Sequence, residues 1–259
     1  MADKFVGAGA PISEGGFASA SRKLGNGRAA LWALLAVETK GFGFLPDRRP
    51  KILFERHIFH RRTGGRYSEA HPEISNSRTG GYLGGADEYR RLERALRLDR
   101  DAALESASWG LGQIMGFNAP RLGYPSAAAM IEAFLDSEDA QLDGCVRFIR
   151  ADPALAAAFR KGDWPRVAAI YNGPSYAKNK YDVKLHAAHA AFKALPPKLA
   201  VRAAQARLVY LGYDPKGVDG LVGEATRAAI RAFLKDRGLS GDGNLTAIVH
   251  QALRAAAGV

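Results

Sequence analysis

The chain has 259 residues, of which 47% are hydrophobic and 24% charged, a balance that supplies packed cores and excludes a disordered or fibrous protein. Its longest apolar run, 29–37, is much shorter than the roughly 20 residues that cross a bilayer, so we expect no transmembrane helix and no stable membrane insertion. Lysine and arginine number 37 against 26 aspartate and glutamate, and the net charge of +11 predicts attraction to a polyanion. Nucleic acid is a poor candidate, because the charge is spread along the chain with no dense basic arm.

The chain up to residue 195 reads mostly as helix. A period near 3.6 in the apolar residues predicts seven helices, over 28–40, 86–96, 126–135, 138–150, 153–161, 166–171 and 181–195. Ser126 and Asp152 are typical N-cap residues, Pro153 suits a first helical position, and Gly41 stands where a helix end favours a left-handed residue. These residues support the boundaries that the apolar period predicts.

The segment 43–85 breaks this helical pattern. It contains the strand-like run Ile52–Phe54, followed by pairs of neighbouring glycines that are typical of turns. We therefore predict a small hairpin region or irregular lobe within a helical domain.

Two adjacent prolines mark the best candidate domain boundary. Pro196–Pro197 cannot continue the helix before it, and new helical periods follow over 200–211, 224–237 and 245–257. The predicted fold is mainly α. It has a larger helical domain over 1–195, which carries the small β or loop lobe, and a small three-helix domain over 196–259.

Glu38 is the most informative residue of the larger domain. It ends the run Leu31–Val37, a helix apolar on nearly every face and so expected to be buried, and the chain turns away at Gly41. A carboxyl at the mouth of an apolar helix loses hydration, which raises its pKa and keeps it protonated near neutral pH, as a general acid requires. On spacing alone, a surface glutamate beside Lys40 is the simpler interpretation.

Three segments add context to Glu38. The runs Val37–Gly41, Ser106–Met115 and Ala168–Pro174 resemble, in this order, three motifs of the lysozyme and lytic transglycosylase superfamily. With Lys51–Phe59, they make the stretch 12–192 similar to the phage N-acetylmuramidase family of endolysins. The resemblance implies a lysozyme-like fold and a glycoside hydrolase that cuts the β-1,4 bond between N-acetylmuramic acid and N-acetylglucosamine in peptidoglycan.

The resemblance also implies roles for single residues. Glu38 would be the catalytic acid, Gln113 and its turn would line the sugar cleft, and Tyr171 would hydrogen-bond near the acid. The two glycines of that turn leave room for a saccharide to approach the backbone. Trp109 is a candidate sugar-stacking ring, with core packing as the alternative, and Asn172 is either a sugar ligand or a helix cap.

A second carboxylate decides the mechanism. An inverting glycosidase needs a base about 6.5 to 9.5 Å from the acid, and a retaining one needs a nucleophile at about 5 to 5.5 Å. Glu55, after the strand-like run, is the candidate, with an ion pair to Arg56 or Arg61 as the alternative. Asp47 is a reserve, more typical of a turn. If neither is in position, Glu38 acting alone implies lytic transglycosylase chemistry, in which the muramyl 6-hydroxyl attacks.

No metal and no cofactor are expected. His57 and His60 lack the spacing of a zinc motif, and arginines surround them. The one cysteine, Cys145, excludes an internal disulfide and a cysteine metal cage, and its apolar neighbours predict a buried side chain. The sequence has no phosphate-binding glycine loop, dinucleotide fingerprint or serine-nucleophile elbow.

The tail resembles the three-helix peptidoglycan-binding domain. The matching runs are 205–213, 218–226 and 229–233. The resemblance implies binding to the bacterial cell wall, for which Tyr213, Asp219 and Thr226 are the candidate residues. A tight turn at Asp219 and a helix cap at Thr226 are the structural alternatives.

These features together predict an endolysin, a muramidase held on peptidoglycan by its tail that lyses the host cell. The alternatives are a lytic transglycosylase with the same fold and a non-catalytic protein that binds the cell wall. No secretory signal opens the sequence, so we expect the protein to stay in the host cytoplasm until a membrane lesion releases it. The lack of heptads and long apolar edges predicts a monomer.

Overall fold

A computed structural model describes residues 5–39, 42–173, 177 and 179–259, with the backbone alone at 38, 39 and 172. Within these ranges the chain is mainly helical, as predicted, with thirteen α-helices. The helices are α1 Glu14–Leu24, α2 Gly27–Thr39, α3 Arg56–Arg62, α4 Glu88–Leu98, α5 Arg100–Glu105, α6 Ala127–Asp136, α7 Glu138–Arg150, α8 Pro153–Lys161, α9 Trp164–Asn172, α10 Tyr181–Ala194, α11 Leu199–Tyr210, α12 Glu224–Asp236 and α13 Ala247–Ala257. The strands are β1 Ile52–Phe54, β2 Ala107–Trp109 and β3 Ile114–Met115. Of the helices described, none has the length and apolar character needed to span a membrane.

The caps act as the sequence predicts. Ser126 Oγ accepts a hydrogen bond from Ala129 N (3.1 Å) at the start of α6. Asp152 Oδ1 accepts one from Leu155 N (3.0 Å) at the start of α8. Gly41, the expected C-terminal residue of α2, lies outside the described residues.

The apolar period does not predict α1, α3 and α5. The first contains Gly15 and Gly16, which lower helix propensity, but Ser13 Oγ caps it by accepting a hydrogen bond from Gly16 N (2.9 Å). The other two have seven and six residues, too few for a helical period to show.

The strand-like run 52–54 is a strand, but its partner is distant in sequence. β1 pairs antiparallel with β2, and β2 with β3, in one three-stranded sheet of order β1–β2–β3. Within 43–85 the local pairing is limited to one antiparallel bridge, between Phe44 and Pro50, so the segment is the irregular lobe of the two predicted alternatives. β1 pairs with the second motif instead, and such a non-local pairing leaves no trace in the local pattern of residues.

Alternation along the strands gives the sheet two different faces. The directly opposed residues of the core face are Ile52, Trp109 and Ile114. Those of the other face are Leu53, Ser108 and Met115. The core face is buried, whereas the second face keeps partly exposed side chains.

Two apolar cores lie within the larger domain. One lies between the sheet and helices α4, α5 and α6, around Phe54, Trp109 and Phe134. The other lies among α1, α2 and α7 to α10. Trp109 and Ile114 belong to the first core, whereas Leu111 between them belongs to the second. The turn 110–113 therefore joins the two cores.

Helices α11 to α13 form the tail around a core of their own, with Leu208, Phe233 and Leu253 at its centre. Pro196–Pro197 lies between α10 and α11, where the domain boundary is predicted. The tail packs directly on the larger domain, because residues 42–44 share an apolar cluster with Ala206 and Val218 of the tail.

Candidate active site

Helix α2 carries the candidate acid. The six consecutive residues 30–35 of α2 are all buried, so the burial extends around the helix, as expected for a helix apolar on nearly every face. Glu38 belongs to the last turn of α2. Its side chain lies outside the described residues, so its catalytic role stays a prediction at this point.

The turn 110–113, which follows β2, has a tightly held backbone. Gly110 N donates to Lys51 O (2.8 Å), and Gln113 N donates to Gly110 O (3.2 Å). Gln113 has a φ of +48°, a left-handed conformation that few residues other than glycine adopt. Such a conformation persists where the surrounding contacts fix it.

The Gln113 side chain supplies those contacts. Its Oε1 accepts a hydrogen bond from Ser108 Oγ (2.9 Å), and its Nε2 donates to Gly110 O (2.9 Å) and Lys51 O (3.2 Å). The amide is therefore engaged in shaping the turn. Its expected contact with a sugar stays a prediction.

Helix α7 supports this region with two buried side chains that sequence reasoning missed. Glu138 Oε1 accepts a hydrogen bond from Gly43 N (2.9 Å), and Gln141 Oε1 accepts one from Leu111 N (2.7 Å). The two residues lie three apart on one helix face. Polar residues on the apolar face of an amphipathic helix are the signal that identifies such supports.

The glycines of the turn make room for protein rather than for a ligand. A Cβ at Gly112 would lie 2.1 Å from Cys145 Sγ, and one at Gly110 would lie 2.6 Å from Gln141 Cδ. Because α7 fills both directions, the expectation that a saccharide approaches over these glycines is wrong. Cys145 is buried, as predicted.

Trp109 belongs to the core. Its side chain is 0% exposed, its ring lies 5.4 Å from the Phe5 ring between centroids, and its Nε1 donates to Leu104 O (3.1 Å). The ring has no free face, which corrects the expectation of sugar stacking in favour of the packing alternative. The reason is the sheet register, which puts Trp109 opposite Ile52 on the core face.

Tyr171 joins the third motif to the second. Its hydroxyl donates to Gly112 O (3.0 Å), and its ring meets the Phe148 ring edge to face at 5.3 Å. Asn172, the last residue of α9, has its side chain outside the described residues, so neither of its expected roles is tested.

Glu55 lies directly after β1, where its backbone N donates to Ser106 O (2.9 Å) and continues the ladder. By alternation its side chain shares the sheet face of Leu53 and Ser108, away from the core. Gln113 bonds to Ser108 on that same face. The Glu55 side chain therefore lies on the sheet face where Gln113 closes the turn 110–113 by bonding to Ser108.

The Glu55 side chain is 17% exposed, and two described side chains meet its carboxylate. Tyr82 donates its hydroxyl proton to Oε2 (2.8 Å), and His57 Nδ1 lies 3.1 Å from the same oxygen. Burial, together with the hydrogen bond to Glu55, raises the pKa of Tyr82 to about 12, so this donor keeps its proton at neutral pH. Arg56 and Arg61 make no ion pair with Glu55 in the described part of the chain, contrary to the alternative weighed for them.

The other candidates of this lobe have structural contacts. Asp47 Oδ2 accepts a hydrogen bond from Arg49 Nε (2.8 Å) within a turn, as the turn interpretation predicts. His60 Nδ1 contacts Ser68 Oγ at 2.7 Å and so does not join His57. In the ranges described, no three histidine, cysteine, aspartate or glutamate side chains gather as metal ligands would.

The tail motif converges on Gln205. Its Oε1 accepts hydrogen bonds from Asp219 N (3.0 Å) and Gly220 N (2.8 Å), and its Nε2 donates to Asp219 Oδ1 (2.8 Å) and Thr226 Oγ1 (3.1 Å). Thr226 is 2% exposed and cannot touch a polymer, which corrects its expected role in binding. Its partner is Gln205 rather than a helix terminus.

Asp219 and Tyr213 remain accessible. Asp219 Oδ1 also accepts from Leu221 N (2.9 Å), which stabilises the expected turn. Tyr213 packs edge to face on Phe233 and donates its hydroxyl to Asp236 (2.9 Å). Their contact with the cell wall stays a prediction.

Comparisons with known proteins agree with this architecture. The model of the N-acetylmuramidase family matches residues 27–193, and that of the peptidoglycan binding domain matches 198–253. The crystal structure of the Burkholderia AP3 phage endolysin is 41% identical, has a TM-score of 0.66, and is matched over 74% of this chain and 72% of that one. A comparison with curated protein sequences found no match. The chain therefore belongs to the N-acetylmuramidase family of glycoside hydrolases and carries a C-terminal peptidoglycan-binding domain.

Proposed function

We propose that the protein is an endolysin that hydrolyses the β-1,4 bond between N-acetylmuramic acid and N-acetylglucosamine, with Glu38 as the general acid. One observation carries the proposal: the second and third family motifs are in direct contact, and they share a core with the helix that carries the first. The Tyr171 hydroxyl of the third motif binds Gly112 O of the second, and Leu111 of the second packs in the same core as α2, which carries the first.

Glu38 gives its proton to the glycosidic oxygen as the bond to the muramic acid carbon breaks. A helix buried on nearly every side suits this step, because loss of hydration keeps a carboxyl at its end protonated at neutral pH. Tyr171 and the turn 110–113 form the wall beside this helix end, and Asn172 is the proposed sugar ligand of the third motif.

Glu55 is the base that activates water. Tyr82 donates to Oε2 and so fixes the orientation of the carboxylate. Since Tyr82 and His57 both meet Oε2, the other oxygen, Oε1, is the one that accepts the proton of the water. Attack by water leaves a reducing muramic acid.

The tail holds the enzyme on peptidoglycan, with the accessible Tyr213 and Asp219 among the contacting residues. The positive net charge favours the anionic cell wall. The protein acts as a monomer and needs no cofactor. It waits in the host cytoplasm until a membrane lesion opens the way to the wall.

Mass spectrometry of muropeptides released from purified sacculi tests these assignments. Wild type should release fragments with a reducing muramic acid. Glu38→Gln and Glu55→Gln should each lower the rate by about 10² to 10⁴-fold, the usual worth of a general acid or base. Glu69→Gln, at an exposed glutamate of the same lobe, is the matched control and should keep the wild-type rate.

Other products contradict parts of the proposal. Fragments one water lighter, with a 1,6-anhydro end, would show transglycosylation and would remove Glu55 from the mechanism. Release of nothing beyond the Glu38→Gln blank would favour the non-catalytic, wall-binding alternative.

A further inference from the structure

Residues 42–44, which we call the post-helix loop, follow the end of α2 and are enclosed by both domains. Phe42 is buried, and its ring lies 5.6 Å from that of Tyr210 in the tail. The Arg202 guanidinium, also from the tail, lies 6.0 Å from the centre of the same ring. The segment that leaves the acid-bearing helix is thus packed against the C-terminal domain.

The backbone of the post-helix loop is fixed at Gly43. Its N donates to Glu138 Oε1 (2.9 Å), and its O accepts from Lys51 N (2.8 Å) at the edge of the sheet lobe. A Cβ at Gly43 would lie 2.0 Å from Gln141 Oε1 and 2.9 Å from Leu111 N. The loop therefore has no space to move toward the turn 110–113 or toward α7.

Glu138 is the centre of this arrangement. Its side chain is fully buried, and its carboxylate also receives Nη1 (2.5 Å) and Nη2 (2.7 Å) of Arg202 and the backbone N of Ile12 (3.3 Å). Arg202 is 1% exposed. Glu138 and Arg202 thus form a bidentate ion pair between α7 of the catalytic domain and α11 of the tail.

A buried carboxylate needs its counter-charge. Without Arg202, the donors described for the buried Glu138 carboxylate are the backbone N–H groups of Ile12 and Gly43. Removing one partner of a buried pair is strongly destabilising. The carboxylate would then have to move toward water or other donors, and such a movement weakens its bond to Gly43 N. The position of the loop five residues after Glu38 therefore depends on a side chain of the tail.

We infer that Arg202 is a positioning residue for catalysis. The C-terminal domain would then support the active site in addition to binding the cell wall. The inference rests on the proposed role of Glu38. Arg202 acts through Glu138 and Gly43, and it touches no substrate. The family match names the tail for peptidoglycan binding, and this contact would couple it to turnover as well.

The test uses the full chain and separates turnover from binding. Arg202→Met keeps an unbranched apolar stem but removes the guanidinium and its charge, and Arg202→Lys keeps the charge but not the bidentate bond. Arg207→Met is the matched control, because Arg207 is a buried arginine of the same helix whose Nε donates to Val259 O within the tail. For each protein, kcat and KM are measured on soluble glycan strands and on sacculi. Binding is measured by co-sedimentation with sacculi. Thermal unfolding is followed to choose a temperature at which every variant is folded.

Arg202→Met should lower kcat by about tenfold to 100-fold on both substrates, the scale of a small misplacement of a catalytic group. KM and co-sedimentation should change little, Arg202→Lys should recover part of the lost kcat, and Arg207→Met should keep the wild-type kcat. If Arg202→Met does not fold, Arg202→Lys alone decides, by a kcat several-fold below that of wild type.

Two results overturn the inference. One is a wild-type kcat in folded Arg202→Met, or in Arg202→Lys if only that variant folds. The other is a loss confined to sacculi, which would make Arg202 a residue for wall binding. Either result requires a wild-type enzyme that is active. A wild type no more active than Glu38→Gln would instead contradict the proposed function, so failure of the inference and failure of the proposed function are distinguishable.

Discussion

The contact between Gly112 and Cys145 gives a sharp test of how α7 supports the cleft. In Gly112→Ala the new Cβ would lie 2.1 Å from Cys145 Sγ. Favourable contact begins at about 3.5 Å, so the sulfur or the turn has to shift by roughly 1.4 Å within a close-packed region. Overpacking of this kind typically costs about 1 to 3 kcal/mol of unfolding free energy.

A second substitution shows whether the sulfur is the cause. Cys145→Ala removes the Sγ atom, and in that background the cost of Gly112→Ala should fall below about 1 kcal/mol, a coupling typical of residues in contact. The assay is urea unfolding of wild type, both single variants and the double variant. Gly15→Ala is the control, because a Cβ there meets only Ser13 Oγ at 3.8 Å in a helix, where alanine adds stability.

Additive effects of the two substitutions would refute this reasoning. If Gly112→Ala costs as much unfolding free energy in the Cys145→Ala background as in wild type, the destabilisation has a cause other than the sulfur. An unchanged stability of Gly112→Ala would mean that the turn can move away from α7, and the rigid wall described above would have to be abandoned.

Two further predictions concern buried polar groups. Burial acts to raise the pKa of Glu88, but three backbone N–H donors and then Arg91 outweigh it and hold that pKa below its ordinary value of 4.5. A lowered pKa gives stability that is complete above 4.5 and is lost as the pH falls through the folded value. Glu88→Gln breaks a buried pair and should cost about 3 to 5 kcal/mol of unfolding free energy at pH 6. This cost should shrink as the pH falls to 3, and the exposed Glu93→Gln, the control, should show no such trend. A cost of Glu88→Gln that does not change with pH would contradict the assignment. Gln205→Ala leaves the N–H groups of Asp219 and its neighbour unpaired, so it should destabilise the tail by about 1 to 3 kcal/mol and reduce co-sedimentation with sacculi; unchanged melting and binding would show that the motif is not held by Gln205.

The sequence predicts best what depends on neighbouring residues. The bounds of α7 and α8 follow from an apolar period and from a local cap at Asp152, and both are correct. The burial of α2 follows from its composition. Such features are predictable because each is decided within a few residues of chain.

Features that depend on distant partners escape the sequence. The register that turns Trp109 to the core is set by its pairing with Ile52, and nothing near either residue shows it. Glu138 and Arg202 look like ordinary charges on two helices until the fold brings them together. The candidate site divides in the same way: its motif residues can be found from their pattern, whereas a polar residue on an apolar helix face marks a support such as Glu138 without indicating its partner.

The interface between the two domains also affects how the chain folds. The Tyr210 hydroxyl donates to Gly9 O (2.7 Å), and the two residues are 201 positions apart. Contacts of such long range slow folding, because the chain loses entropy before they form. On a ribosome, the segment around Gly9 has to wait until α11 has emerged. This interface should thus close late, and a chain still being synthesised lacks the support that Arg202 gives until α11 has emerged.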